Sequence, residues 1–138
     1  MRLLFVDLKF KNTSTMKKII FILLGYFATL SVHAQFNNKK FKGTLKLETD
    51  VEVVFDFKDD TLSVYRSQDS TTLERMTYTA NDTLLTIKKV EGQSSCDLST
   101  FGKYKYMMKD DILTIMLFAD DCTDRSSVLD NSKWTKMK

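Results

Sequence analysis

The chain is expected to fold as an all-β domain, a small eight-stranded antiparallel up-and-down barrel, with a β-sandwich as the alternative packing of the same strands. Three observations predict this. Beyond residue 34 the apolar residues recur with a period of two, the mark of a strand with one packed and one wet face. A short turn theme appears three times, as Asp59-Asp60, Asn81-Asp82 and Asp110-Asp111, each followed by a β-rich run. Proline is absent, and only Gly43, Gly92 and Gly102 occur after residue 34, none at the centre of an expected strand.

The elements follow in order. An opening strand is expected near 43–49, preceded by Lys39-Lys40-Lys42, which reads as a solvated N-terminal arm. In 51–58, Val51, Val53, Phe55 and Phe57 alternate with Glu52, Val54, Asp56 and Lys58. Asp and Asn tolerate left-handed backbone and bond their own main chain, as a tight hairpin connection requires. The three turns therefore pair 51–58 with 61–67, 74–79 with 83–90, and 103–109 with 112–118. Residues Glu91 to Thr100 form the longest expected loop. In the third hairpin, Tyr104, Tyr106 and Met108 share one face and Lys103, Lys105 and Lys109 the other, while Leu113, Ile115 and Leu117 repeat the alternation. A helix-like segment, Ser126–Asn131, precedes a closing strand near 132–137. Closing eight such strands removes the unpaired edges that invite aggregation.

Residues 1–34 read as an N-terminal extension and a cleaved signal peptide. Lys17-Lys18 precede an apolar run from Ile19 to Leu30 that ends in Ser31-Val32-His33-Ala34. The run is shorter than the roughly 20 apolar residues needed to cross a bilayer, and the small residues favour cleavage before Gln35. Met16 opens such a signal by itself, so translation is expected to start there rather than at Met1. The expected product is exported, periplasmic or extracellular, and makes no stable membrane insertion; an uncleaved anchor is the alternative.

Cleavage changes the chemistry. It leaves 104 residues as a single domain, 35–138, and removes His33, the only histidine. Without imidazole, and without a nucleophile elbow, a zinc-binding helix motif or a phosphate loop, catalysis is not expected. Five of the 21 basic and one of the 18 acidic residues leave with the segment, so 16 and 17 remain. A near-neutral domain of interspersed sign lacks the electrostatic footprint of a nucleic-acid binder.

Two cysteines remain, and in an oxidising compartment Cys96 and Cys122 are expected to form a disulfide, the alternative being two free thiols. The carboxylates Asp120, Asp121 and Asp124 have no EF-hand spacing or glycine turn, so they are read as turn caps rather than as a metal site. No cofactor is expected.

Cys96, Gly102-Lys103-Tyr104, Leu113-Thr114-Ile115, the run Asp120-Asp121-Cys122-Thr123-Asp124-Arg125 and Trp134 together resemble the C-terminal block of small bacterial lipocalin-like, calycin-type secreted proteins. The likeness covers about 40 residues in motif and the rest in element order only. It departs at the start, where lipocalins commonly carry G-x-W and this chain has Gly43-Thr44-Leu45. The resemblance implies an exported barrel that binds a small apolar molecule.

The functional expectation is a non-catalytic binding protein for a small apolar or amphipathic ligand. Phe55, Phe57, Tyr104, Tyr106 and Met108 are the candidate lining residues, and buried tyrosine hydroxyls among them need partners. Arg125 and Trp134 are assigned a structural role, with the guanidinium stacked on the indole near the junction of first and last strands. The same inner face equally suits a filled core, since eight strands leave room only for side chains or one small ligand. In that rival reading the protein is an interaction module, and Val54, Met107, Met116 and Phe118 form an outer apolar patch unless the segment 126–131 covers them.

Overall fold

The computed structural model describes residues 35–138; the expected signal peptide and its cleavage lie outside the described residues. Eight strands run in chain order: β1 (Lys39–Leu45), β2 (Val51–Lys58), β3 (Thr61–Arg66), β4 (Thr72–Ala80), β5 (Leu84–Gly92), β6 (Phe101–Lys109), β7 (Ile112–Asp120) and β8 (Ser132–Lys136). One short helix, α1 (Thr123–Leu129), stands between β7 and β8. Every strand pairs antiparallel with its sequence neighbour. The register Phe41↔Lys136 and Lys42↔Thr135 joins β1 to β8, so the sheet is a closed up-and-down barrel and not a sandwich.

The hairpin turns form where Asp and Asn stand in pairs. Asp59, Asp110 and Asp111 adopt positive φ, and Asn81 accepts the Leu84 amide on its side-chain oxygen at 3.0 Å. Two expectations are corrected. The first strand begins at Lys39 rather than near 43, because Phe41 faces the core between lysines that face outward. Lys40 and Lys42 meet Asp56 at 3.1 Å and Glu52 at 2.8 Å on the neighbouring strand, so the supposed arm is part of the sheet. The helix runs Thr123–Leu129 rather than Ser126–Asn131. Its first turn closes when Ser126 N–H donates to the Cys122 carbonyl at 2.9 Å, and it stops where Asp130 turns extended and Asn131 left-handed.

The connections divide the barrel into two ends. At one end lie residues 35–38, the turns after β2, β4 and β6, and the chain's C-terminus. This end is plugged by aromatic rings: Phe36, fully buried, stacks on Phe57 with centroids 4.8 Å apart and meets Tyr106 edge-on at 4.9 Å, while Phe57 meets Tyr78 at 4.9 Å. At the other end lie the β1–β2 and β5–β6 loops and α1.

Between the two ends Trp134 stacks on Phe55, with rings 3.8 Å apart and 21° from parallel, and its Nε1–H donates to Ser132 Oγ at 2.7 Å. Gly43 explains how an indole fits beside the first strand. A Cβ there would stand 2.8 Å from Trp134 Cζ3 and closer still to Cε3. Because the indole is fully buried and cannot retreat, Gly43→Ala is expected to cost about 1–3 kcal/mol by overpacking, read as a lowered thermal unfolding midpoint.

Candidate functional site

The interior is hollow at the end opposite the aromatic plug. A cavity of about 620 Å³ opens there, bounded by β1 to β4, the β1–β2 and β5–β6 loops, and α1. Inward alternation on the strands supplies Phe55, Val64 and Met76 to its walls, and α1 supplies Leu129 and Val128. Leu45, Val51 and Leu73 continue the apolar lining toward the mouth, where Lys46, Glu48, Arg66 and Gln93 provide polar groups. The Phe55–Trp134 stack stands where the hollow half meets the filled one.

Two polar clusters border the cavity. In the first, the fully buried Asp120 carboxylate accepts from Arg125 Nε at 2.6 Å and Nη2 at 2.8 Å, from the Cys122 amide at 2.8 Å, and from the Tyr104 hydroxyl. Burial alone disfavours the charged carboxylate, but the hydrogen bonds from Arg125, Tyr104 and Cys122 outweigh it and hold Asp120 below the usual carboxylate range. Burial, reinforced by the bond to Asp120, pushes the Tyr104 hydroxyl well above its ordinary value. Burial opposes the Arg125 charge too, yet Asp120 more than compensates and raises its pKa. Arg125 itself lines the cavity, and its Nη1 is buried without a hydrogen-bond partner among the described residues.

In the second cluster Glu74 accepts Ser94 Oγ at 2.7 Å and the Ser94 amide at 3.1 Å, while Lys89 stands 3.8 Å away and donates to the Ser94 carbonyl. These bonds tie the β5–β6 loop to β4. The same loop is joined to α1 by the Cys96–Cys122 disulfide and by Ser95, whose amide and hydroxyl donate to Asp124 at 3.2 and 2.6 Å. Those bonds hold Asp124 below the usual carboxylate range. The wall of the cavity formed by loop and helix is therefore held by a covalent link and two hydrogen-bonded clusters.

Of the five residues expected to line a pocket, Phe55 borders this cavity. Phe57 lies in the aromatic plug, and Met108 packs partly buried against the core. Tyr104 is fully buried against Asp120. The Tyr106 hydroxyl lies against the Asn81 carbonyl, with the Gln35 side-chain oxygen 2.8 Å away, at the plugged end. Arg125 binds Asp120 and Trp134 stacks on Phe55, in place of the expected stack of one on the other. Asp120 and Asp124 bond main-chain amides as turn caps do, and no group of three or more metal-ligating side chains occurs among the described residues.

Sequence reasoning missed Val64, Met76, Glu74 and the helical wall. Signals for them exist: Glu74, Met76, Tyr78 and Ala80 alternate along β4, and Arg125, Val128 and Leu129 have the i, i+3, i+4 spacing of one helix face.

The molecule thus belongs to the class of small closed antiparallel barrels with one end plugged and the other hollow. The chain matches no family model, and searches of curated proteins and of solved structures return no match.

Proposed function

We propose that the protein is an exported, non-catalytic, lipocalin-like carrier that holds a small apolar or amphipathic ligand in the open half of its barrel. The observation that carries this reading is the cavity itself: about 620 Å³, with apolar walls from Phe55, Val64, Met76 and Leu129 and charged groups both at its mouth and, as Glu74 and Arg125, along its border. Ligand sites in proteins typically have this size and combine apolar walls with placed polar groups, and the polar share here suits an amphipathic ligand. The signal-like N-terminus and the Cys96–Cys122 disulfide support export.

The test has two arms. Native mass spectrometry of the protein from its own host, followed by denaturation, is expected to release a small molecule at defined stoichiometry. In the second arm, Leu73→Trp/Val128→Trp places indoles at two half-buried lining positions and is expected to weaken uptake of a fluorescent apolar probe by about tenfold or more. A variant that folds normally and takes up the probe as well as the parent would show that the cavity is not the site. An interaction module is the second reading, favoured by exposed Phe101, Met107 and Phe118 on the outside of the barrel.

A further inference from the structure

We propose that the outer face of β5 to β8 docks on an anionic lipid surface, independently of what the cavity holds. The outward positions of these four strands carry lysines, threonines and apolar side chains, and their one carboxylate, Glu91, stands at the end of β5 paired with Arg75 of β4. Phe101, Met107 and Phe118 are 53%, 54% and 56% exposed, so α1, which packs beside β7, does not cover them. Between them stand Lys88, Lys103 and Lys105, none of which takes part in a salt bridge among the described residues.

The ladder makes these residues one surface. Lys88 pairs with Phe101, and Lys105 pairs with Met116; across the next strand Thr114 pairs with Lys133. A β-bulge in β7 at Phe118, between the pairs Lys103↔Ala119 and Tyr104↔Leu117, helps expose that ring. Leu117, expected inside, is 41% exposed near the strand's end. Lys88 Nζ lies 5.1 Å from the Phe101 ring centroid and Lys105 Nζ 5.5 Å from that of Phe118, so each ammonium shares its patch with a ring.

The β1–β2 sector of the barrel is different. There Lys40 and Lys42 are neutralised across strands by Asp56 and Glu52. A surface that leaves Lys88, Lys103 and Lys105 uncompensated and interleaves them with exposed rings fits a partner offering fixed negative charge above an apolar layer. Ammonium groups meet lipid phosphates while rings enter the boundary between headgroups and acyl chains. An acidic protein surface would use the lysines but leave three large apolar side chains unexplained, which is why the lipid surface is favoured.

Vesicle co-sedimentation tests this. Protein purified from its own host is expected to sediment with phosphatidylcholine vesicles containing phosphatidylglycerol and not with phosphatidylcholine alone. Raising salt from about 0.1 M to about 0.5 M should release it, because the Debye length shortens. Lys103→Glu/Lys105→Glu and Phe101→Ser/Phe118→Ser should each weaken binding about tenfold or more, while Lys40→Glu/Lys42→Glu on β1, where both lysines are already paired with carboxylates, should not. Since all are variants of one chain, any contribution from the N-terminal residues cancels. Equal binding of parent and variants, absence of binding, or equal binding to neutral vesicles would overturn the proposal. Concentration-dependent self-association abolished by the same substitutions, without vesicle binding, would overturn it in favour of a second copy of the chain.

Discussion

Asp120→Ala is expected to lower the stability of the barrel by about 3–5 kcal/mol, the cost of leaving a buried charge without its partner. The Arg125 side chain is 5% exposed and has its Nε and Nη2 on Asp120, so removing the carboxylate strands a nearly buried guanidinium without its counter-charge. It also strips the Tyr104 hydroxyl and the Cys122 amide of their acceptor. A domain of this kind has a total stability of about 5–15 kcal/mol, so urea denaturation should place the variant at or near the limit of folding. A loss below about 1 kcal/mol would mean that the cluster is not the anchor the geometry indicates.

The same cluster sets a pH window. Asp120 has a depressed folded pKa, so its stabilisation is fully present above the ordinary aspartate value of about 3.9 and is lost as pH falls through the lower folded value. Tyr104 has a raised folded pKa, so its contribution is present below about 10 and is lost as pH rises beyond it. The thermal midpoint should be flat between these limits and fall on both sides. Tyr104→Phe should remove the part of the alkaline limb that Tyr104 supplies.

Cys96→Ser/Cys122→Ser is expected to have an effect of similar size. The cysteines are 26 residues apart, and the chain-entropy argument assigns about 3.5 kcal/mol to closing such a loop. The disulfide joins the β5–β6 loop to the start of α1, and both segments wall the cavity, so probe uptake should weaken together with stability. Reducing the parent protein should reproduce the loss, and reductant should leave the variant unchanged. An unaltered denaturation midpoint in both experiments would show that Ser95–Asp124 and the Asp120 cluster hold the junction without the covalent link. Because the Cys122 amide donates to Asp120, this change and Asp120→Ala touch the same junction and should not add.

The C-terminal motif residues acquire a physical meaning in this cluster. Gly102, Tyr104, Asp120, Cys122 and Arg125 are dispersed over 24 residues of sequence yet meet at one point. A Cβ on Gly102 would stand 2.8 Å from Arg125 Nε and closer still to Asp120 Oδ2, so glycine is what lets the ion pair form against the strand. The motif was visible in the chain as spacing, but its members' partners were not. Arg125 was expected on Trp134, whereas an acid five residues earlier took the guanidinium and the indole found Phe55 across the interior.

The candidate site was legible only in part, for a geometric reason. Period-two alternation tells which residues point inward but not how far along the barrel axis each lies. Phe55 and Phe57 alternate in phase on one strand, yet one borders the cavity and the other lies in the aromatic plug. A filled core and a pocket are alternatives for the inner face in the sequence, while the interior contains a packed half and a hollow half. Phe36, which fills much of the plug, precedes the first strand, and no periodicity marked it.

The amino-acid sequence by itself determined the strands, their hairpin pairing, the side each face presents and the cysteines available to bridge. These are local consequences of alternation, turn chemistry and composition, each spanning a few residues. Only the tertiary structure decided that the sheet closes between β1 and β8, that one end is plugged and the other hollow, and that the lysines of β5 to β8 share a surface with exposed rings. Those features depend on which distant side chains meet when the barrel shuts, and the energy of such meetings is not written in any short stretch of the chain.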